Sequence, residues 1–286
     1  MKTVAHSSHF ARQGWYPGDA ETCSSQLEQY LDELDSLPIP DQPLRAGIVP
    51  HAGWMFSGAL AGRTIGALAK KGAAETVVLL GGHLGPRSPS WVLQEGVWET
   101  PIGDLKTDTE LAAAIAEKTP LEAIGPAEYR PDNTIELQLP FLRYAFPEAR
   151  LVTAGVPADS DCVTTGRSVV QAAHALGRKI LVVGSTDLTH YGPNYGFSPA
   201  GSGEDAVRWV KEENDRRAVD LMQRLAADTL LAEALDKHFC CCPGATAATL
   251  AAARELGATQ GHVLSTLTSY DVRPGSSFVG YASVVF

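Results

Sequence analysis

Two runs in this chain, Thr76–Leu80 (TVVLL) and Lys179–Val183 (KILVV), are apolar at almost every position. A strand with one face in water alternates apolar and polar side chains, so strands of this kind must be covered on both faces. Leu44–Val49 (LRAGIV) and Leu151–Val156 read as two more buried strands. Between Leu44–Val49 and Thr76–Leu80 lies Gly58–Lys71, rich in Ala and Leu, which predicts a helix closed by Gly72. A strand, a helix and a second strand in that order imply a right-handed parallel crossover.

The remaining segments continue the alternation. Leu27, Tyr30, Leu31 and Leu34 fall at helical spacing in Ala20–Leu34, and Pro38, Pro40 and Pro43 end that pattern. Trp91–Gln94 and Val97–Thr100, separated by Glu95-Gly96, predict a hairpin. Helices are predicted over Thr109–Lys118, Thr134–Phe146, Ser168–Leu176, Thr229–Leu235 and Ala245–Leu256, with a long charged one over Asp205–Ala226. Gly261–Ser269 and Ser277–Phe286 read as closing strands. No internal repeat or linker interrupts the 286 residues. The expectation is one α/β domain, residues 1–286, with a central, mostly parallel sheet flanked by helices.

Composition narrows the class of partner. A formal charge of −10 argues against a nucleic-acid or anionic-membrane surface, because phosphate binding needs a basic face. No apolar run reaches the roughly 18–20 residues of a bilayer span. The opening MKTVAHSSHFARQGWYPGD lacks the apolar stretch of a signal peptide. Five cysteines, three of them consecutive at 240–242, make a poor disulfide framework, so a cytoplasmic location is expected.

Polar clusters follow three of the apolar strands directly. Val49 leads into Pro50-His51-Ala52-Gly53, and Leu80 into Gly81-Gly82-His83-Leu84-Gly85-Pro86. Val183 leads into Gly184-Ser185-Thr186-Asp187-Leu188-Thr189-His190-Tyr191-Gly192. Ligands of parallel α/β sheets bind beyond the carboxyl ends of the strands, so His51, His83, Asp187 and His190 are expected at one edge. A fourth cluster, Phe239-Cys240-Cys241-Cys242-Pro243-Gly244, stands immediately before a helix, where the helix dipole favours thiolate. Neighbouring side chains diverge, so no more than two of these three cysteines are expected at a common point. Two imidazoles with a thiolate or carboxylate suit one metal ion, and iron, zinc and copper all accept such donors. Asp187 can either ligate or orient His190 as an acid–base group. Glu136, on an otherwise apolar helix, reads equally as a satisfied buried acid or as a pocket acid.

With these residues in view, the sequence resembles the Memo-like family, also called AmmeMemoRadiSam system protein B. The likeness runs from Gly14-Trp15-Tyr16-Pro17 through Pro50-His51-Ala52-Gly53, Ser57-Gly58, the glycine-flanked His83 and Thr100-Pro101-Ile102-Gly103. It continues through Ile135-Glu136-Leu137-Gln138-Leu139-Pro140-Phe141 to Ser185–Gly192, the most specific block. That family is similar to class III extradiol ring-cleavage dioxygenases, which implies an extradiol dioxygenase-like α/β fold around a non-haem metal pocket. By motif, the resemblance implies His51, His83 and Cys241 as metal ligands, with iron foremost and copper or zinc as alternatives. It implies Asp187 and His190 as catalytic residues and Trp15 and Phe56 as aromatic lining. Where relatives read Cys-Gly, this chain reads Cys241-Cys242-Pro243, which leaves Cys240 and Cys242 as rival ligands. Where many relatives carry a His, it has Asn133, which can hydrogen-bond a substrate but cannot shuttle a proton.

The function expected from this set is a metal-dependent, dioxygenase-like oxidoreductase. The alternative is a binding module that holds a small anionic molecule or peptide in the same pocket. The resemblance implies the latter through links with phosphotyrosine peptides and cell-motility signalling. A zinc hydrolase is the third reading.

Overall fold

The structure is a computed structural model that describes residues 4–6, 8–32, 34 and 37–286. In chain order its elements are β1 (Val4–His6), α1 (Ala20–Asp32), β2 (Ala46–Val49), α2 (Trp54–Lys71), β3 (Thr76–Gly81), β4 (Trp91–Leu93), β5 (Val97–Thr100) and β6 (Gly103–Lys106). There follow α3 (Thr109–Lys118), β7 (Glu122–Ile124), α4 (Asn133–Glu136), α5 (Leu139–Ala145), β8 (Arg150–Gly155), α6 (Cys162–Ala175), β9 (Ile180–Ser185) and β10 (His190–Tyr191). The chain closes with α7 (Glu204–Trp209), α8 (Asp215–Gln223), α9 (Ala227–Lys237), α10 (Pro243–Glu255), β11 (His262–Thr268), α11 (Ser269–Val272) and β12 (Phe278–Val285).

A nine-stranded sheet runs β10-β12-β2-β9-β3-β8-β4-β7, with β11 on β12, and β1, β5 and β6 form a separate three-stranded sheet. Its middle, β2-β9-β3-β8, is parallel throughout, as the apolar runs require. Residue parity sorts the core. Ile48, Val78, Leu80 and Val182 pack with α6, α8, α9 and α10, whereas Val49, Val77, Leu79, Leu181 and Val183 pack with α1, α2 and α5. Covering both faces removes each strand residue from water, and a buried Val or Leu contributes roughly 1.5–3 kcal/mol. The antiparallel strands sit at the two ends of the parallel block, where β12 and β4 reverse direction.

Several expectations need correction. Trp91–Gln94 and Val97–Thr100 do not form a hairpin. β4 joins β8 and β7 in the large sheet, while β5 leaves for the small sheet and pairs with β6. Gly96, at φ 119°, turns the chain away from β4 rather than back along it. The true hairpin closes through Pro101-Ile102, with Thr100 opposite Gly103. The single helix expected over Thr134–Phe146 is two helices, α4 and α5, because Pro140 lies in the first turn of α5 and cannot continue a helix already under way. The charged helix over Asp205–Ala226 contains a π turn at Val210–Asn214 between α7 and α8. The first helix ends at Asp32, and Glu33 of its expected extension lies outside the described residues. Helix α2 starts at Trp54, earlier than expected, with Gly53 as a cap that offers no side chain. Among the described residues no helix is long and apolar enough to cross a membrane.

Helix α10 lies so close to α6 that a Cβ at Gly166 would fall on the backbone carbonyl of Ala248. Gly166→Ala is therefore expected to force the two helices apart and lower stability by about 1–3 kcal/mol. Urea unfolding measures this, and an unchanged midpoint would show that the contact yields without cost.

Candidate metal centre

Strand β9 lies between β2 and β3, and all three run the same way. Their carboxyl ends are thus neighbours, and the next residues of each, His51, Ser185–Asp187 and His83, share one edge of the sheet. The segment leading into α10 faces them and brings the cysteines, with Cys242 as the helix cap. Its approach depends on Gly244, where any Cβ would collide with the Pro157 carbonyl in the loop after β8.

His51 is buried, at 1% exposure. Its backbone N–H donates to Asp187 Oδ1 at 2.7 Å, and its Nδ1 pairs with the Ser185 hydroxyl at 3.0 Å. That second contact fixes the ring and leaves Nε2 facing the Cys241 sulfur at 3.3 Å. A partner on one imidazole nitrogen that orients the other toward a metal is the usual support of a histidine ligand. The His83 ring meets the His51 ring edge-on, with centroids 4.9 Å apart, and its Nδ1 lies 3.5 Å from Asp132 Oδ1. Unlike His51, the His83 side chain is half-exposed, at 45%.

The cysteine segment is laced to the loop after β9. Cys241 donates its N–H to the Asp187 carbonyl at 3.2 Å, and Asp187 donates its N–H to the Cys241 sulfur at 3.3 Å. The Cys242 N–H donates to Thr186 Oγ1 at 3.2 Å. Cys242 caps α10 in a non-helical conformation, φ −126° and ψ 63°, before Pro243. In that bend two adjacent side chains converge instead of diverging, and their sulfurs lie 3.6 Å apart. Cys240 turns into the core, 3.8 Å from Thr246 Oγ1.

One donor atom from each of His51, His83, Cys241 and Cys242 lies within 4.8 Å of all the others. A tetrahedral ion with sulfur at about 2.3 Å and nitrogen at about 2.0–2.1 Å sets its ligands roughly 3.3–3.8 Å apart. The group therefore fits a single ion with a small contraction. Its electrostatics agree. Burial opposes ionisation of Cys241, yet the Cys242 thiol, His51 and His83 hold its pKa well below the ordinary thiol range. Burial and then Cys241 push Cys242 well above that range. Burial also works against a charge on either imidazole. Asp187 and Cys241 outweigh it at His51, as Asp132 and Cys241 do at His83, and both pKa values rise. A metal held here would need neutral imidazoles and a thiolate, so its binding would release protons.

The other expected residues surround this group. Asp187 is buried, with Oδ2 3.8 Å from His51 Nε2, but it lies outside the set of converging donors. A cleft of about 1350 Å³ opens over His51 and His83, and Trp15, Phe56, Asn133, Asp187 and His190 all line it. His190 places Nδ1 3.2 Å from the Leu188 carbonyl and its ring edge-on to Tyr195. Asn133 donates from Nδ2 to the His51 carbonyl at 3.0 Å, which bolts the histidine loop in place. Glu136 is a buried structural acid: its Oε1 accepts from the N–H groups of Phe10 and Ala11 and from the Tyr16 hydroxyl, and so anchors the segment carrying Trp15. Asp132 and Ser185, which steady the two histidines, escape a search for ligands. Their only sequence signal is proximity to Asn133 and Asp187. Arg273 and Tyr281 also line the cleft, with nothing in the sequence to mark them.

A deeper layer holds the loop after β9. Buried Asp215, just after the π turn, accepts the Thr189 N–H at 3.0 Å and the Thr189 hydroxyl on the same oxygen. Asn214 donates to Thr189 Oγ1 at 3.0 Å and to the Lys237 carbonyl at 3.2 Å.

Comparison with known proteins places the chain as a whole. The family model described as Memo-like protein matches residues 10–285. A MEMO1 family protein of Thermococcus onnurineus is 34% identical over 281 residues, covering 95% of this chain and 96% of its own. One from Methanopyrus kandleri is 33% identical over 285 residues, with 95% of each chain covered. The crystal structure of an uncharacterized Escherichia coli K12 protein superimposes with a TM-score of 0.52 at 15% identity, over 85% of this chain and 99% of that one. That likeness concerns the fold alone.

Burial raises the Asp215 carboxyl from 3.8 to about 7, against the pull of the Thr189 hydrogen bonds. In this window the folded chain holds a proton that the unfolded chain releases, so stability falls as pH rises from about 4 to about 7 and levels off above it. Asp215→Asn is expected to flatten that slope, which for a shift of this size is a few kcal/mol. Urea midpoints for both proteins at several pH values measure it, and parallel profiles would contradict it.

Proposed function

The chain belongs to the Memo-like family, and from that premise we propose that it is a metal-dependent, dioxygenase-like oxidoreductase whose ion is held by His51, His83 and Cys241. The observation that carries this reading is the convergence of imidazole and sulfur donors within 4.8 Å under an open cleft. The family resemblance favours iron, and the donors also admit copper or zinc. When bound, such an ion would supply Lewis-acid chemistry to a molecule in the cleft, and iron or copper would add electron transfer.

The chain's own residues supply the rest. Ser185 holds the His51 ring, and Asp187 holds its backbone, so the imidazole meets an incoming group in one orientation. His190, half-buried on the cleft wall, is placed to give or take a proton there. Position 133 cannot share that work, because an amide carries no titratable proton and this one is already committed to the His51 carbonyl. Trp15 and Phe56 offer apolar walls to a small organic or peptide ligand. Five free thiols suit a reducing compartment such as the cytoplasm. We read residues 1–286 as one domain, since the large sheet pairs β2, from Ala46, with β12, which ends at Val285.

A second reading rests on Arg273. This exposed guanidinium lines the cleft together with Trp15, Phe56, Tyr195 and Tyr281, a setting suited to an anionic aromatic group or peptide held without turnover.

Elemental analysis of tag-free protein is expected to find about one metal per chain. His51→Ala and Cys241→Ala should each weaken metal affinity at least as much as loss of a supporting residue does, on the order of 10–100-fold. Metal content equal to wild type in both folded variants would remove the centre. A loaded protein that takes up no oxygen with any of a broad set of substrates would favour the binding module.

A further inference from the structure

The reading above leaves the Cys242 thiol unused. A buried cysteine is ordinarily a small apolar filler, and Cys23 and Cys162 conform, each packed among core side chains. Cys242 differs in where its sulfur points. Its Sγ lies 3.6 Å from Cys241 Sγ and within 4.8 Å of a nitrogen on each of His51 and His83. The backbone is shaped to hold it there. Cys242 leaves the helical conformation at the cap of α10, its N–H is tied to Thr186, and Gly244 lets the helix start press on the Pro157 carbonyl. None of these features is needed to bury a methyl-sized group.

We propose that Cys242 is a fourth protein ligand, so that His51, His83, Cys241 and Cys242 form a two-nitrogen, two-sulfur site for a thiophilic ion. The proposal rests on the metal reading of this pocket and goes beyond it in ligand number and in the class of metal taken. The observed 3.6 Å between sulfurs falls within the roughly 3.3–3.8 Å edge of a tetrahedral ligand set. Neighbouring residues rarely share an ion in a structural zinc site, whose cysteines are usually spaced two to four residues apart. Here the bend at Cys242 substitutes for that spacing. A second thiolate moves the preference from iron toward ions that favour sulfur and tetrahedral geometry. It also leaves the half-exposed His83 as the ligand nearest solvent, and thus the natural one to yield to a molecule in the cleft.

Cobalt(II) serves as the probe, titrated into the metal-free, full-length protein under anaerobic, reducing conditions. Thiolate-to-cobalt charge-transfer absorbance counts sulfur ligands, and the visible bands report tetrahedral geometry. The wild type is expected to show both. Cys242→Ser should still bind cobalt, with charge-transfer intensity falling to about half as one of two thiolates is lost. Cys240→Ser, whose sulfur points elsewhere, should match the wild type. Wild-type intensity in folded Cys242→Ser would overturn the fourth ligand and leave the three-donor centre standing. Absence of cobalt binding by the wild type, or binding with no sulfur band, would bring down the metal reading and this proposal together. Should Cys242→Ser fail to fold, X-ray absorption at the cobalt edge of the wild type counts sulfurs directly: two support the proposal, and one or none overturns it.

Discussion

Three parallel strands, β2, β9 and β3, lie side by side and end at the same edge, and most of the site follows from that adjacency. Each strand is apolar on both faces, so each must be sandwiched, and the covering helices fix where the strand can end. With β9 paired to β2, the loop after it starts beside His51. Asp187 then meets the His51 N–H at 2.7 Å, and Ser185 meets the ring. The cysteine segment is drawn into the same place by hydrogen bonds in both directions with Asp187. Each histidine donor thus lies two residues beyond a strand end, and the cysteines lie directly before α10.

Electrostatics adds a second layer. A thiolate and two imidazoles lie together with little water around His51; the Cys241 sulfur and the imidazoles favour each other's charged forms, while the two imidazoles oppose one another. The arrangement offers deprotonated sulfur to an incoming cation, while Asp132 lies beside His83 and Asp187 beside His51. The same buried region contains Asp215, which holds Thr189 and through it the loop after β9. Burying that carboxylate costs stability near neutral pH in exchange for a fixed loop.

How much of this could be read beforehand depended on range. His51, His83, Asp187 and His190 stood out because each follows an apolar strand within a glycine-flanked turn, a purely local pattern. The parallel core was legible for the same reason. The choice among Cys240, Cys241 and Cys242 was not, since it turns on the backbone angle at Cys242 and on contact between Gly244 and Pro157, far away in sequence. The hairpin over residues 91–100 failed because Gly96 signals a turn without saying which strand lies beyond it. Pro140 marked a helix start inside a run of apolar residues that otherwise reads as one helix. The π turn and the paired buried residues Asn214 and Asp215 lay within a charged stretch whose pattern suggests only a solvated face. Glu136 had two equal readings, and only its partners, Phe10, Ala11 and Tyr16, decided between them.

The central claim is that one ion sits where His51, His83 and the cysteine segment meet. Anomalous difference density from a crystal of the full-length protein, collected on both sides of the bound metal's absorption edge, tests it most directly. The account predicts a single strong peak within bonding distance of His51 Nε2, a His83 nitrogen and Cys241 Sγ. A peak bonded to other residues, or none in a crystal grown with iron, copper or zinc, would contradict it.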